Sequence, residues 1–413
     1  LQPPHEKSFG ARRAIDAGTA LWNVSHRDAI GGASSLDDHL FAPATSISQG
    51  ASIMEFGICF DTHIDKWDLI RYVEELGYDS AWVPDSQMIW SDSYAVMALA
   101  AQATKRIKIG TGVAIPGTRL APVTAHSIAT INEIAPGRTF LGIGTGHTAM
   151  RVMGQHPMHI KEFREYLRVV RALLKGEAVE YTYAGRTREI QFLHQDLHYL
   201  DLEHPIPIYV AANGPKACEI AGEFGDGWVT AVGNPAAVKA QRAKVDEGAR
   251  KAGRKLPDPF VTTALIGGCV LRPGEKLTDD RVIDETGSFV SAILHFAYEI
   301  WKDMGKKDEL IPPYFANVWD QYLARVEDMS LPEQSRFRQI HDGHCTYLQP
   351  GERKFMTAEA IKGSCLVGTP EEIVHQLNDL ERMGIGGVSL LPPAEFQRKV
   401  FRDFSEMVMP LVR

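Results

Sequence analysis

From Met54 onward, short apolar runs alternate with helical patterns, and few folds accommodate that rhythm. "MEFGICF" (54–60), "SAWVP" (80–84), "IKIGTGV" (107–113) and "RTFLGIG" (138–144) read as buried strands. Between them, "KWDLIRYVEELGY" (66–78) places Trp67, Ile70, Val73 and Leu76 at helical spacing, with Gly77 as a stop signal. "SYAVMALAAQAT" (93–104) is an alanine-rich helix, and "PVTAHSIATINEI" (122–134) starts with Pro122 in its first turn. A further helix is expected over 160–175. The rhythm resumes with strand "PIYVAA" (207–212), a helix over 214–224, strand "GWVTA" (227–231), a helix over 235–252 and strand "VTTALIGGCV" (261–270). "TPEEIVHQLNDLERMG" (369–384) reads as a capped helix with Thr369 at the N-cap, Pro370 at N1 and Glu372 at N3. "GGVSLLPP" (386–393) is the last strand, and a terminal helix follows over about 395–410.

Short apolar strands in strict alternation with helices demand a parallel sheet covered on its outer face. Eight such units predict an α/β protein of the (β/α)8 TIM-barrel class; a doubly wound sheet is the alternative that the pattern leaves open. Two insertions interrupt it. A polar, β-prone stretch from Val179 to Tyr199, after the fourth strand, reads as a hairpin. Residues 271–365, after the seventh, carry helical patterns near 281–303 and 315–329. This insertion holds Trp301, Tyr314, Phe315, Trp319 and Tyr322, and reads as a lid, a substrate wall or a subunit contact. The barrel domain spans 54–413. Residues 1–53 are rich in Gly, Ala, Ser and Asp without a sustained period, and read as a poorly structured extension, with Met54 a natural start.

Composition narrows the function. The net charge of −8, with no basic tract, argues against a nucleic-acid partner. Five scattered cysteines without a CxxC pair read as reduced thiols of a cytoplasmic protein. No run is long and apolar enough for a membrane span.

In a barrel the chemistry sits at the C-terminal strand ends. Here these are Phe60-Asp61-Thr62-His63, Pro84-Asp85-Ser86-Gln87, Val113-Ala114-Ile115-Pro116, Gly144-Thr145-Gly146-His147, Ala211-Ala212-Asn213-Gly214 and Thr230-Ala231-Val232-Gly233. They offer no carboxylate pair for glycoside hydrolysis and no lysine for a Schiff base. Small residues, amides and hydroxyls suit a large planar ligand with a phosphate tail. In "LGIGTGHTAM" (141–150), the glycines let backbone N–H groups approach an anion. His147 follows them and titrates where it can give or take a proton, or pair with a phosphate.

Other residues carry weaker signals. His63 ends the first strand. His126 reads as structural, and Arg119 and Arg151 as surface pairs or anion contacts. His194 and His198 share a sheet face if their segment is a strand. "HDGHC" holds His341, His344 and Cys345, but its spacing matches no strong metal motif, and no metal is expected.

Four stretches carry a family resemblance: "GYDSAWVPDSQMIW", "IKIGTGVAIPGTRLAPVTAHSIATINEIAPGRTFLGIGTG", "PIYVAANGPKACEIAGEFGDGWV" and "GTPEEIVHQLNDLERMGIGGVSLLPP". In this order they resemble the bacterial-luciferase-like superfamily of TIM-barrel enzymes that use flavin or deazaflavin. The branch is that of methylenetetrahydromethanopterin reductase. The resemblance implies that the isoalloxazine ring lies against Thr111, Gly112, Val113 and Ala114, where several members have a non-proline cis bond. It places the cofactor phosphate at Gly144, Thr145, Gly146, His147 and Thr148, and at Ala212, Asn213 and Gly214. Trp90 matches a tryptophan that covers the pocket in some relatives.

Two departures matter. Relatives often have Asp-His or Glu-His where this chain has Asp85-Ser86, and Ser86 can only orient. Deazaflavin-dependent relatives often carry an acid where this chain has His147. The expected catalytic set is His147, Ser86, Asp85 and His63. The leading expectation is a monooxygenase using reduced FMN and oxygen on a small organic substrate, with a separate flavin reductase as a possible partner. The alternatives are a hydride transferase using the deazaflavin F-420, and a non-catalytic flavin-binding protein. A homodimer or higher homo-oligomer is expected by analogy with relatives.

Overall fold

The computed structural model describes residues 54–231 and 235–413. The expectations for residues 1–53 and for Val232 and Gly233 lie outside the described residues. The first half alternates as the sequence predicts: β1 (Glu55–Cys59), α1 (Asp68–Glu75), β2 (Ser80–Val83), α2 (Ser93–Ala103), β3 (Lys108–Thr111), α3 (Ala121–Ile134), β4 (Thr139–Ile143), α4 (His147–Val152) and α5 (Ile160–Leu174). The hairpin β5 (Val179–Tyr183) and β6 (Arg186–Ile190) follows, then β7 (Ile208–Ala211), α6 (Pro215–Phe224), β8 (Gly227–Thr230), α7 (Pro235–Lys251) and β9 (Val261–Val270). The insertion carries α8 (Asp280–Asp303), α9 (Trp319–Glu327), α10 (Phe337–Ile340) and α11 (Ala358–Ser364). The chain ends with β10 (Cys365–Gly368), α12 (Pro370–Arg382), β11 (Gly387–Leu390), α13 (Gln397–Met407) and α14 (Met409–Val412).

The strands pair in parallel in the order β1-β2-β3-β4-β7-β8-β9-β11, and β11 returns to β1. That closure decides for the (β/α)8 barrel over the doubly wound sheet. The predicted hairpin pairs antiparallel, Val179 opposite Ile190. Strand β10 lies outside the ring and was not expected. β9 is long enough to pair twice, Thr263–Ile266 with β11 and Gly267–Val270 with β10.

Side chains on alternate faces of the strands build two cores. Phe56, Ile58, Val83, Ile109 and Val210 pack outward against the helices, where Ile70 and Val73 of α1 meet them. Burying one such side chain stabilises by roughly 1.5–3 kcal/mol. Inside the ring, Trp82 and Phe140 pack at a 56° tilt with ring centroids 4.5 Å apart, and Tyr209 lies 5.2 Å from Phe140. Glycines make room for them: a Cβ at Gly110 would fall 2.3 Å from the Phe140 ring, and one at Gly112 2.6 Å from Trp82 Cβ.

The sequence reading needs three corrections. His194 and His198 do not share a strand face; they flank a single 3-10 turn beyond β6, both with left-handed backbone. The terminal helix breaks at Val408, two residues before Pro410. The aromatic residues Trp301, Phe315, Trp319 and Tyr322 are buried, not exposed, and belong to one core with Trp82, Phe140 and Tyr209 inside the ring.

Candidate active site at the barrel rim

The exits of β2 and β3 are fixed by one carboxylate. Asp85 follows β2 and is buried. It accepts hydrogen bonds from Arg119 Nη1 (2.5 Å), Gln87 Nε2 (2.6 Å), Ser93 Oγ (2.9 Å) and the Ile115 N–H (3.3 Å). Its lone pairs are thereby engaged by protein donors, so its geometry is that of a positioning group. Arg119 also pairs with Asp92 at 2.9 Å and lies over the Tyr94 ring at 4.7 Å. Ser86 is half-buried and opens a turn in which its carbonyl accepts from the Ile89 and Trp90 N–H groups. Trp90 then reaches the insertion, donating from Nε1 to Thr346 Oγ1 at 2.9 Å.

Beside this turn, the peptide between Gly112 and Val113 is cis, at the position implied by the resemblance. Thr111 and Ala114 flank it as wall residues. Thr111 Oγ1 donates to the Gly142 carbonyl at 2.6 Å, and Ala114 bridges to Ile143. Only Gly112 and Val113 are half-buried; Thr111 and Ala114 are buried.

The loop after β4 folds back tightly. Gly146 has φ 84°, a left-handed conformation suited to glycine, and a Cβ there would fall 2.6 Å from Ile115 Cγ2. A Cβ at Gly144 would lie 3.1 Å from Ala211 Cβ, so β4 and β7 approach closely at the rim. Thr145 and Thr148 are half-buried. After β7, Ala212 is buried and its carbonyl accepts from Trp228 Nε1 at 2.7 Å. Asn213 ties β7 to β8 by accepting from the Ala231 N–H at 3.1 Å. Gly214 starts α6 with no side-chain cap, and a Cβ there would meet nothing within 4 Å. The first turn of this ten-residue helix begins with Pro215, which has no N–H, and the open side of Gly214 leaves the start of the helix accessible to a ligand. Gly112 and Val113 are half-buried at the rim and Gly214 borders open space, which leaves surface for a ring and a phosphate tail, so these residues fit a flavin-type cofactor.

His147 opens α4, but its partners belong to the insertion. Its Nδ1 lies 3.5 Å from Glu299 Oε2 and its Nε2 3.4 Å from Arg151 Nη2, and its ring meets Phe296 edge-on at 4.5 Å. Burial pushes its pKa down to about 4, against the pull of Glu299. The imidazole is thus neutral at pH 7, and its contact with Glu299 is not an ion pair. Arg151 likewise turns to the insertion, to Asp303 and to Glu299. His63 is half-exposed beside Asp65, 2.5 Å away. His126 faces solvent.

Two features escaped the sequence reading. Asp61, at the β1 exit, is buried and hydrogen-bonded to Gln397; burial raises its pKa despite that bond. Its neighbour His63 drew attention because a histidine titrates near neutrality unaided. The insertion also gathers His295, His341 and His344, with one ring nitrogen of each within 4.8 Å of the others. "HDGHC" displayed two of these; His295 comes from α8, and no local spacing signals it. All five cysteines are free and buried. Among the described residues, no helix is long and apolar enough to cross a membrane.

Comparison with known proteins agrees with this geometry. The family model described as luciferase-like monooxygenase matches residues 54–386. The chain is 28% identical over 337 residues to 5,10-methylenetetrahydromethanopterin reductase of Archaeoglobus fulgidus, covering 80% of this chain and 91% of that protein. It is 37% identical over 179 residues to an F-420-dependent glucose-6-phosphate dehydrogenase of Kineococcus radiotolerans, covering 40% of this chain and 52% of that protein. Among solved structures, the F-420-dependent tetrahydromethanopterin reductase of Methanopyrus kandleri superposes with a TM-score of 0.64 at 21% identity, covering 87% of this chain and 100% of that one. The oxygenating constituent of 3,6-diketocamphane monooxygenase from Pseudomonas putida, in complex with FMN, gives 0.56 at 20%, covering 87% and 98%. With the closed barrel, the Gly112–Val113 rim and a match across most of its length, the chain belongs to the luciferase-like family of oxidoreductases.

Proposed function

We propose that this chain transfers a hydride between the deazaflavin F-420 and a small organic substrate. The observation that carries the reading is the identity of its relatives. The relative matched along 80% of the chain is a methylenetetrahydromethanopterin reductase, and relatives matched over shorter stretches are F-420-dependent dehydrogenases. This reverses the order expected from the sequence, where FMN-dependent oxygenation led. The FMN-bound neighbour, at 20% identity, supports the fold and not the cofactor.

In this reading Gly112 and Val113 face the cofactor ring, and the loop 144–148 with Gly214 and the start of α6 hold its phosphate. When bound, the cofactor supplies two-electron hydride chemistry. The chain's residues bind, orient and exclude water. Asp85 and Arg119 hold the β2 and β3 exits in register. Trp90 closes one side of the pocket, and Ser86 orients through its hydroxyl. Neutral His147 fastens α4 to the insertion. Asp61, kept protonated to higher pH than an ordinary aspartate, is the acid that the rim offers. A homodimer through the early helices belongs to the same proposal; Leu120, just before α3, and Val123 and Ile134 of α3 are left exposed.

The test is a side-by-side titration of purified protein with FMN and F-420, each oxidised and reduced. Selective binding of F-420 is the expected result. Tight binding of reduced FMN with an oxygen-dependent spectral change overturns it in favour of the monooxygenase. Binding of neither removes the cofactor assignment of the rim.

A further inference from the structure

We propose that the insertion holds a divalent transition-metal ion of the zinc class, bound by the imidazoles of His295, His341 and His344. His295 lies in the middle of α8, and the other two follow α10. One nitrogen from each ring lies within 4.8 Å of the others, so a modest inward shift of the rings brings all three to a single ion. The rings of His295 and His341 stand nearly perpendicular, at 89° with centroids 6.0 Å apart; those of His341 and His344 are at 77° and 5.7 Å.

The hydrogen bonding around the rings shows which nitrogens are available. His295 Nε2 lies 2.9 Å from Glu352 Oε1, and His341 Nε2 lies 2.8 Å from Glu299 Oε1. A carboxylate accepts, so each Nε2 carries the hydrogen, and a neutral ring then presents a bare lone pair at Nδ1. His344 Nε2 lies 3.7 Å from Cys345 Sγ. The Nδ1 atoms of His295, His341 and His344 are all shielded from solvent and have no hydrogen-bond partner. The side chains of His295 and His341 are each only 2% exposed. Leaving a buried polar atom unpaired costs about 1–3 kcal/mol. Three unpartnered nitrogens on three rings that converge within 4.8 Å ask for a single electrophile.

A metal cation meets that demand, and the surroundings are those of a metal site. Metal-bound histidines commonly donate their second nitrogen to a carboxylate, which fixes the tautomer and aims the ring. Glu352 and Glu299 stand in that place. Glu352 is itself fixed by the Ser291 hydroxyl and lies 3.5 Å from Arg325 Nε. An all-imidazole set suits zinc, cobalt, nickel or copper rather than magnesium or calcium. Three protein ligands leave a fourth position for water or substrate. The site also adjoins the rim: the His344 ring lies 6.1 Å from that of Trp90, and Glu299 reaches both His341 and His147. The ion would tie the insertion to the barrel mouth. The sequence reading expected no metal because two histidines in "HDGHC" are too few, and the third ligand is remote in sequence.

The test uses the full chain, stripped with a chelator and dialysed against Zn²⁺ alone, with bound metal measured by atomic emission. The expected result is about one zinc per chain, with imidazole scattering in the zinc X-ray absorption spectrum and visible d–d bands when Co²⁺ replaces it. His344→Ala should abolish tight binding. Glu352→Gln, which leaves all three ligands in place, should weaken it about 10–100-fold. His126→Ala, at a solvent-facing position on α3, should change nothing. Failure of the wild-type chain to bind zinc stoichiometrically overturns the proposal without recourse to any variant. So does zinc that survives His344→Ala, or that shows no imidazole neighbours.

Discussion

Asp85 and Arg119 form a buried ion pair, Oδ2 to Nη1 at 2.5 Å, that joins the exit of β2 to the segment leading into α3. Their side chains are 1% and 15% exposed. Removing one member of such a pair leaves the other buried and uncompensated, which costs about 3–5 kcal/mol. Asp92 remains as a second partner for Arg119, so the lower end applies here. Asp85→Asn should therefore lose about 3 kcal/mol in urea unfolding. The double variant Asp85→Asn with Arg119→Met should lose less than the sum of the two single changes. Additive losses would show that the pair does not act as a unit.

His147 gives a pH dependence whose sign follows from its surroundings. Burial holds its folded-state pKa at about 4, whereas an unfolded chain titrates near 6.5. Between those values the unfolded state binds a proton that the folded state refuses. Acidification through this window therefore destabilises the fold, by up to about 1.4 kcal/mol per pH unit, and the penalty vanishes above pH 6.5. The groups facing the ring are Glu299, Arg151 and Phe296. Urea unfolding of wild type and His147→Gln, both in chelator, should show a shallower loss below pH 6.5 in the variant. Equal slopes would mean that His147 titrates normally in the folded state.

If Asp61 is the acid of the proposed hydride transfer, its replacement separates chemistry from binding. Its carboxyl is buried at the β1 exit and held by Gln397. Asp61→Asn keeps that neighbour's hydrogen-bonding capacity but removes the titrating proton. Turnover with reduced F-420 should fall about 10²-fold or more, with cofactor affinity unchanged. A parallel loss of affinity would make Asp61 part of the binding wall instead.

Helix α12 shows what a sequence can display by itself. Thr369 Oγ1 accepts from the Glu372 N–H at 3.3 Å, and Glu372 Oε2 accepts from the Thr369 N–H at 2.8 Å, so the cap read from "TPEEI" is present on both sides. Thr369→Ala should cost about 1 kcal/mol of stability and leave cofactor binding untouched. The cap is local, as are the apolar strands, and all eight strands of the ring were legible for that reason. The site was legible only in part. Glycines at 112, 144 and 146 stand out because close packing against Trp82, Ala211 and Ile115 needs them, and Gly214 because it leaves the start of α6 open. The roles of Asp85 and His147 depend on Arg119 and Glu299, brought in by folding from other segments, and no spacing rule shows such partners. His295 was hidden for the same reason, and β10 because, among the described residues, it pairs only with the far end of β9.

Two glycines separate folding from phosphate binding at the rim. Gly146 has φ 84°, and an added Cβ would strike Ile115 Cγ2 at 2.6 Å and Met150 Cγ at 2.9 Å. Gly146→Ala should cost about 1–2 kcal/mol from backbone conformation alone, and more from the contacts. Gly214 differs in both respects. Its φ of −80° suits any residue, and an added methyl would enter open space at the start of α6. Gly214→Ala should therefore unfold within about 0.5 kcal/mol of wild type. If that space takes the cofactor phosphate, the methyl group displaces it from the helix N–H groups, and F-420 affinity should fall about 10-fold, or about 1.4 kcal/mol. Unchanged affinity in a stable Gly214→Ala would move the phosphate away from α6 and leave the loop 144–148 to hold it.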